Sequence, residues 1–200
     1  MSKAGWSLVF GSMFIAGLVL GAFGTGCLAA DFSADFVVKS KGEDEIVGKV
    51  FVKGQKIRQE IEEGDEKQVL IIRPDKGVTW MLTSEDKSYM EIPYESQGQA
   101  FEVWTPESEK LGKLVGEETV AGYPCKKFEL VEEGEKATYW VSKKLSFPIK
   151  VQDSESVMEY KNIKEGTVED GLFEVPQGFE KLSSPAVPQM SVTPEKEGSQ

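Results

Sequence analysis

Acidic side chains are the most numerous groups in this 200-residue sequence that could move protons or bind cations: 34 Asp and Glu stand against 23 Lys and Arg, with no His at all. Without an imidazole, Ser-His-Asp and Cys-His catalysis and every His-based metal site are excluded. Carboxylate chemistry is what remains. The runs Glu43-Asp44-Glu45, Glu60 to Glu66 and Glu132-Glu133-Gly134-Glu135 fall at expected turns and strand ends, and they lack the alternating Asp/Asn and Gly register of a calcium loop. They read as solvated turn charge, and spacing singles out no pair for glycosidase work. The sequence thus predicts no enzyme, no metal site and no cofactor, and its net charge of −11 argues against a nucleic-acid partner.

Binding chemistry is better represented. Trp80, Tyr89, Met90, Phe101, Trp104 and Trp140 are the candidate ligand-binding residues, because cavities for acyl chains are mostly apolar with a few polar groups. The same side chains also suit an ordinary β core, in which aromatics dominate and Met fills gaps, so both readings stay open. Phe101 and Trp104 stand apart because they lie in the one segment without strand rhythm. Arg58 and Arg73, the only arginines, suit either an anionic group of a ligand or surface ion pairs with nearby acids, and the second is the simpler expectation.

Positioning these residues falls to a succession of short strands. From Phe32 onward, β-branched and aromatic runs are separated by turns rich in Gly, Asp, Glu and Lys. Strands are expected at 32–39, 45–53, 56–62, 67–73, 78–83 and 88–92, then at 113–120, 123–132, 136–142, 148–153 and 156–163, with a last short element at 172–175. Pro74-Asp75-Lys76-Gly77 is a turn signal, with Gly placed where a positive φ is needed. Between Pro93 and Lys113 the rhythm breaks, which predicts a short helix or an ordered flap. The fold class is therefore mainly β: a curved antiparallel sheet or open half-barrel of about eleven strands with a short helical or irregular lid segment.

The ends of the chain read differently. Residues 1–30 carry Lys3 as their one charge, followed by an apolar stretch from Leu8 to Phe23. That stretch is shorter than the roughly 20 residues of a membrane span, so residues 1–30 read as a signal peptide, 31–182 as one domain and 183–200 as a disordered tail. Export to the periplasm follows. Gly24-Thr25-Gly26-Cys27 resembles a lipoprotein box, so Cys27 is a candidate lipidation site and a membrane-anchored lipoprotein is the alternative; membrane contact is expected only with Cys27 acylated. If Cys27 leaves with the signal, Cys125 is the one cysteine remaining, without a disulfide, and its apolar neighbours predict a buried thiol.

Two segments carry a family resemblance. Val115-Gly116-Glu117-Glu118-Thr119-Val120-Ala121-Gly122-Tyr123-Pro124-Cys125-Lys126-Lys127-Phe128 and Leu172-Phe173-Glu174-Val175-Pro176-Gln177-Gly178-Phe179 resemble recurrent segments of exported lipoprotein-sorting-type domains, and Lys87-Ser88-Tyr89-Met90-Glu91-Ile92 fits the same group. That superfamily, the LolA-like periplasmic lipoprotein carriers, has many members of unknown function. The resemblance implies an unclosed half-barrel with a hydrophobic side, and as partners a lipid or acylated lipoprotein, or another envelope protein. The N-terminal helix of the true carrier is not evident here. The functional expectation is a periplasmic, non-enzymatic binding protein, with an envelope sensor or scaffold on the same fold as the alternative.

Overall fold

Alternation of apolar and polar residues with period two sends successive side chains to opposite faces of a sheet, and the strand runs of this sequence build one sheet in that way. The structure, a computed structural model, describes residues 29–63, 66–94, 104, 106–132 and 134–182. Among the described residues twelve strands form in chain order: β1 Ala29–Ser40, β2 Ile46–Gly54, β3 Lys56–Glu63, β4 Glu66–Arg73, β5 Val78–Thr83, β6 Ser88–Pro93, β7 Lys113–Val120, β8 Tyr123–Glu132, β9 Glu135–Ser142, β10 Phe147–Gln152, β11 Ser156–Glu165 and β12 Glu180–Lys181. A short helix, α1, spans Pro106–Leu111.

The strands lie in the order β12-β6-β5-β4-β3-β2-β1-β11-β10-β9-β8-β7, one open sheet that does not close into a barrel. β2 to β6 and β7 to β11 are two runs of hairpins, and β1 joins them by pairing with β2 on one side and β11 on the other. Eleven strands are antiparallel, as the short turns require. The twelfth corrects the all-antiparallel expectation: β12 pairs in parallel with β6 through Glu180 and Lys181, arriving by a crossing segment rather than a hairpin. The short element expected at 172–175 is a 3₁₀ turn over Asp170–Phe173.

At the Pro74–Lys76 turn, Gly77 takes φ +66° and donates its N–H to the Pro74 carbonyl, so Gly there supplies the left-handed conformation that closes the β4–β5 hairpin. Gly48 serves a different need. A Cβ at this position would lie inside contact with the Phe36 ring and the Glu60 carbonyl, so the missing side chain lets Phe36 lie flat across β2. Phe36 meets Tyr160 edge to face at 6.4 Å, Tyr160 stacks on Phe147 at 5.9 Å, and Phe147 meets Phe32 at 5.4 Å. These rings, with Val50, Val52, Ile57 and Ile149, form the core beside β1, where the two halves of the sheet join.

Candidate functional site

Register decides which side chains share a face, because directly paired residues point the same way. One row runs Met90–Met81–Leu70–Gln59–Val50–Ala34 across β6 to β1. Two residues along β1 on the same face is Phe36, and two further is Val38. From Val38 the row continues Met158–Val151–Tyr139–Phe128–Leu114 across β11 to β7. Apart from Gln59 this row is apolar across the sheet, while Lys126 in β8 and Glu117 in β7 share its face, the Phe36 face, at the far end. The centre of this face is filled, with Phe32, Val50 and Val52 fully buried. Away from the centre, Met90, Met81, Leu70, Val38, Met158, Val151 and Tyr139 are half-buried, and Leu114 at the far edge is 54% exposed.

Charge is distributed with equal order. Every charged residue of β1 to β6 whose side chain is described alternates onto the opposite face: Asp31, Asp35 and Lys39; Lys49 and Lys53; Lys56, Arg58, Glu60 and Glu62; Lys67 and Arg73; and Glu91. In β1 to β6 the polar groups left on the Phe36 face are the neutral Gln59, Gln68, Thr79, Thr83 and Ser88; β11 adds the Tyr160 hydroxyl, and β7 and β8 add Glu117 and Lys126, the Lys126 ammonium 6.0 Å from the Phe128 ring. Burial pushes the Tyr160 phenol up, opposed by a hydrogen bond with Gln59, so this hydroxyl stays neutral as well.

The opposite, Trp80 face carries a strap. After β11 the chain crosses β3 to β6 as residues 166–182, burying Val168 and Phe173 against Val69, Ile71, Trp80 and Leu82. Arg58 and Arg73 hold it: Arg58 donates to the Leu172 carbonyl (2.9 Å), and Arg73 to the Phe173 carbonyl (2.7 Å) and the Glu174 carboxylate (2.6 Å). The expected ion pairs with nearby acids form, Arg58 with Glu60 and Arg73 with Asp75 and Glu174, but not at the surface: both arginines are buried, at 9% and 4% exposure, and they also satisfy strap carbonyls that would otherwise be buried unpaired. Hydrogen bonds donated to the Asp75 carboxylate raise the Arg73 pKa further, so its charge is permanent. Lys53 and Lys56 both reach Asp170, and their hydrogen bonds bring its carboxyl down to about 2. At the end of the strap Lys181 bonds Glu91 (2.6 Å), which also accepts from the Trp80 indole (2.9 Å).

The expected binding residues therefore divide. Trp80 and Tyr89 lie beneath the strap, packed with it. Trp140 is on the same face by register: its ring lies between the Lys127 and Lys150 ammonium groups, 4.7 and 4.6 Å from its centroid, and its indole donates to Glu118 (2.8 Å). Met90 is on the Phe36 face, and so is the platform on which Trp104 sits, since the Trp104 ring contacts Phe128 and Tyr139 at centroid distances of 5.3 and 5.1 Å. Trp80, Tyr89 and Trp140 thus do not share a surface with Met90 and Trp104. Phe101 and Cys27 lie outside the described residues. Leu70 and Val151 complete the apolar row with Met81 and Met158 and went unnamed as binding residues; the alternation of β4 and β10 was the signal that pairs them with Met90.

Trp104 differs from the other described tryptophans in one respect. Its indole nitrogen is buried and has no hydrogen-bond partner among the described residues, whereas those of Trp80 and Trp140 each donate to a carboxylate. Cys125 is fully buried, its thiol pushed up chiefly by burial. Among the described residues no three His, Cys, Asp or Glu side chains converge, and no helix is long and apolar enough to cross a membrane.

Residues 37–146 match a family described as a domain of unknown function, DUF4412. No curated protein matches the sequence. Among solved structures the chain is similar to an uncharacterized conserved protein from Thermus thermophilus, with a TM-score of 0.55 and 14% identity over 78% of this chain and 91% of that one, a likeness of fold. It is similar at lower scores to MucB in complex with MucA(peri), TM-score 0.49 and 14% identity over 72% of this chain and 53% of that one, and to a LolA superfamily protein from Nitrosomonas europaea, TM-score 0.39 and 13% identity over 73% of this chain and 90% of that one.

Proposed function

Because the chain belongs to the DUF4412 family, for which no activity is described, we propose from the geometry that it is a non-enzymatic, exported protein that holds a lipid or lipidated partner on the Phe36 face of its sheet. One observation carries the proposal. In a sequence with 28% charged residues, the described part of this face in β1 to β6 has none, and its flanks are half-buried rather than sealed. A face left open to water alone gains from polar residues, while one that packs a ligand gains from apolar ones. Met81, Met90 and Met158 add the adaptable surface that variable acyl chains need. The lipoprotein-sorting-like segments and the leader-like first thirty residues support the envelope setting.

The test is lipid extraction and mass spectrometry on protein purified from native envelopes, together with thermal stability measured against added acylglycerol. Bound acyl lipid and a concentration-dependent rise in Tm are expected, because a ligand that binds only the folded state stabilises it by mass action. Met81→Glu, which places a charge in the row, should remove the rise. Lipid-free protein whose Tm does not respond overturns the reading. The filled centre of the same face, with Phe32, Val50 and Val52 buried, favours a second reading as an envelope scaffold that binds a protein partner and no lipid.

A further inference from the structure

We infer that the leader is removed at the Gly26–Cys27 bond, so that Cys27 becomes the first residue of the exported protein and Ala29 and Ala30 stay in its fold. The inference rests on the exported reading above and is independent of what the Phe36 face binds. Cys27 lies outside the described residues, and the observations that carry the inference are at the start of β1 and in the sequence ahead of it.

β1 joins the two halves of the sheet, and its first residues take part in the join. Ala29 pairs with Gly54 of β2, and Ala30 donates its N–H to the Leu145 carbonyl (3.0 Å) and packs against the core in which Leu145 is fully buried. The Asp31 carbonyl accepts from the Gly166 N–H (3.1 Å), and Phe32, the next residue, is fully buried. A cut after Ala30 deletes the pair with Gly54 and the donor to Leu145, and it puts an α-ammonium on Asp31, next in the chain to Phe32. A cut after Ala29 also loses the pair with Gly54 and puts the ammonium on Ala30, against the core. Either cut places a charge where the fold has an amide, and a charge held beside apolar side chains gives up hydration. A cut at Gly26–Cys27 keeps all of these amides and leaves Leu28 between Cys27 and the first residue of β1.

The sequence suits the same bond. Export leaders are cut after small side chains at the first and third positions before the bond that breaks. Gly26 and Gly24 hold those positions for Gly26–Cys27, just past the apolar stretch that ends at Phe23. A cut after Ala30 has Leu28, a large side chain, in the third position. Cys27 and Ala29 are small enough for a cut after Ala29, so β1 alone decides against that one. Hydrolysis adds one water across the Gly26–Cys27 bond, leaving a carboxylate on Gly26 of the leader and an α-ammonium on Cys27, and it needs no other reactant.

The experiment expresses the full chain, leader included, purifies the protein from envelopes and reads its N-terminal peptide by mass spectrometry. Cys27 is expected as the first residue, with its thiol either free or acylated. A first residue of Ala30 or Asp31, or any other start produced by cleavage, overturns this inference and leaves the exported reading standing. An uncut chain overturns both. Two variants of the full chain test which side chains direct the cut. Gly26→Phe puts a large side chain directly before the bond and should abolish the species that starts at Cys27, whereas Ala29→Leu blocks a cut after Ala29, leaves Gly24 to Gly26 untouched and should keep the wild-type start. Unchanged processing of Gly26→Phe, or loss of processing in Ala29→Leu, overturns the assignment of the bond.

Discussion

Phe173→Ala tests whether the strap is held by its buried ring or by its ion pairs. Phe173 is fully buried among Val69, Ile71, Trp80, Leu82 and Val168. Truncating a buried Phe to Ala costs about 3–5 kcal/mol through lost transfer energy and the cavity left behind, with the lower end expected where a site can collapse. The strap is a single segment lying on a sheet, so collapse is available and about 3 kcal/mol is the working figure, including the loss of Lys56 over the ring at 6.0 Å. Asp170→Ala removes bridges to Lys53 and Lys56 at 2.8 and 2.9 Å that have more of the appearance of a clamp. The Asp170 side chain is 67% exposed, and exposed pairs contribute little, so its loss should be small by comparison. Urea unfolding of both variants gives the comparison directly, with Trp80 fluorescence reporting exposure of the surface beneath the strap. A Phe173→Ala loss below about 1 kcal/mol, with Trp80 emission unchanged, would refute the strap as a structural cover. So would a larger loss for Asp170→Ala.

Gly48→Ala should destabilise by about 1–3 kcal/mol, because the new Cβ is driven into the Phe36 ring and the Glu60 carbonyl; thermal melts check it, and pairing with Phe36→Leu should recover part of the loss. Stability should also fall in acid. Asp170 titrates at about 2 in the folded protein against an ordinary 3.8, and Glu174, Asp75 and Glu91 are likewise held low by hydrogen bonds from Lys76, Arg73 and Lys181 respectively. With each folded pKa below its unfolded value, the unfolded chain binds more protons as the solution acidifies. The contribution is therefore complete above the ordinary carboxyl range and is lost as pH falls through it toward about 2. Melting temperatures recorded between neutral pH and about pH 2 should decline across that window, and a flat profile would refute the assignment of these bridges to the folded state.

Local pattern carried most of the fold. Alternation in Lys127-Phe128-Glu129-Leu130 and Thr138-Tyr139-Trp140-Val141, and the turn residues Pro74 to Gly77, act over a few residues, and the observed strands follow them closely. What local pattern does not contain is the order of strands. That β1 sits between β2 and β11, with β6 and β7 toward opposite ends of the sheet, depends on pairings more than 100 residues apart in sequence, such as Asp35 with Lys161. The role of the strap is hidden from local pattern for the same reason. Leu172 to Val175 has the composition of a strand, yet its carbonyls find Arg58 and Arg73 instead of a neighbouring ladder, and only the assembled face supplies those donors.

Site residues chosen by type were divided by the same geometry. Trp80 and Met90 look equally suited to an apolar ligand, but facing is a property of register: Trp80 pairs with Glu91, one residue on from Met90, and so lies on the opposite side. Trp80 is the larger apolar group, yet the strap and Glu91 already satisfy it. Trp104, expected in an irregular segment, is the tryptophan whose indole the described structure leaves unsatisfied. A ligand site in a sheet protein is therefore found less by counting aromatics than by following one face across its strands and asking which of its polar atoms still lacks a partner.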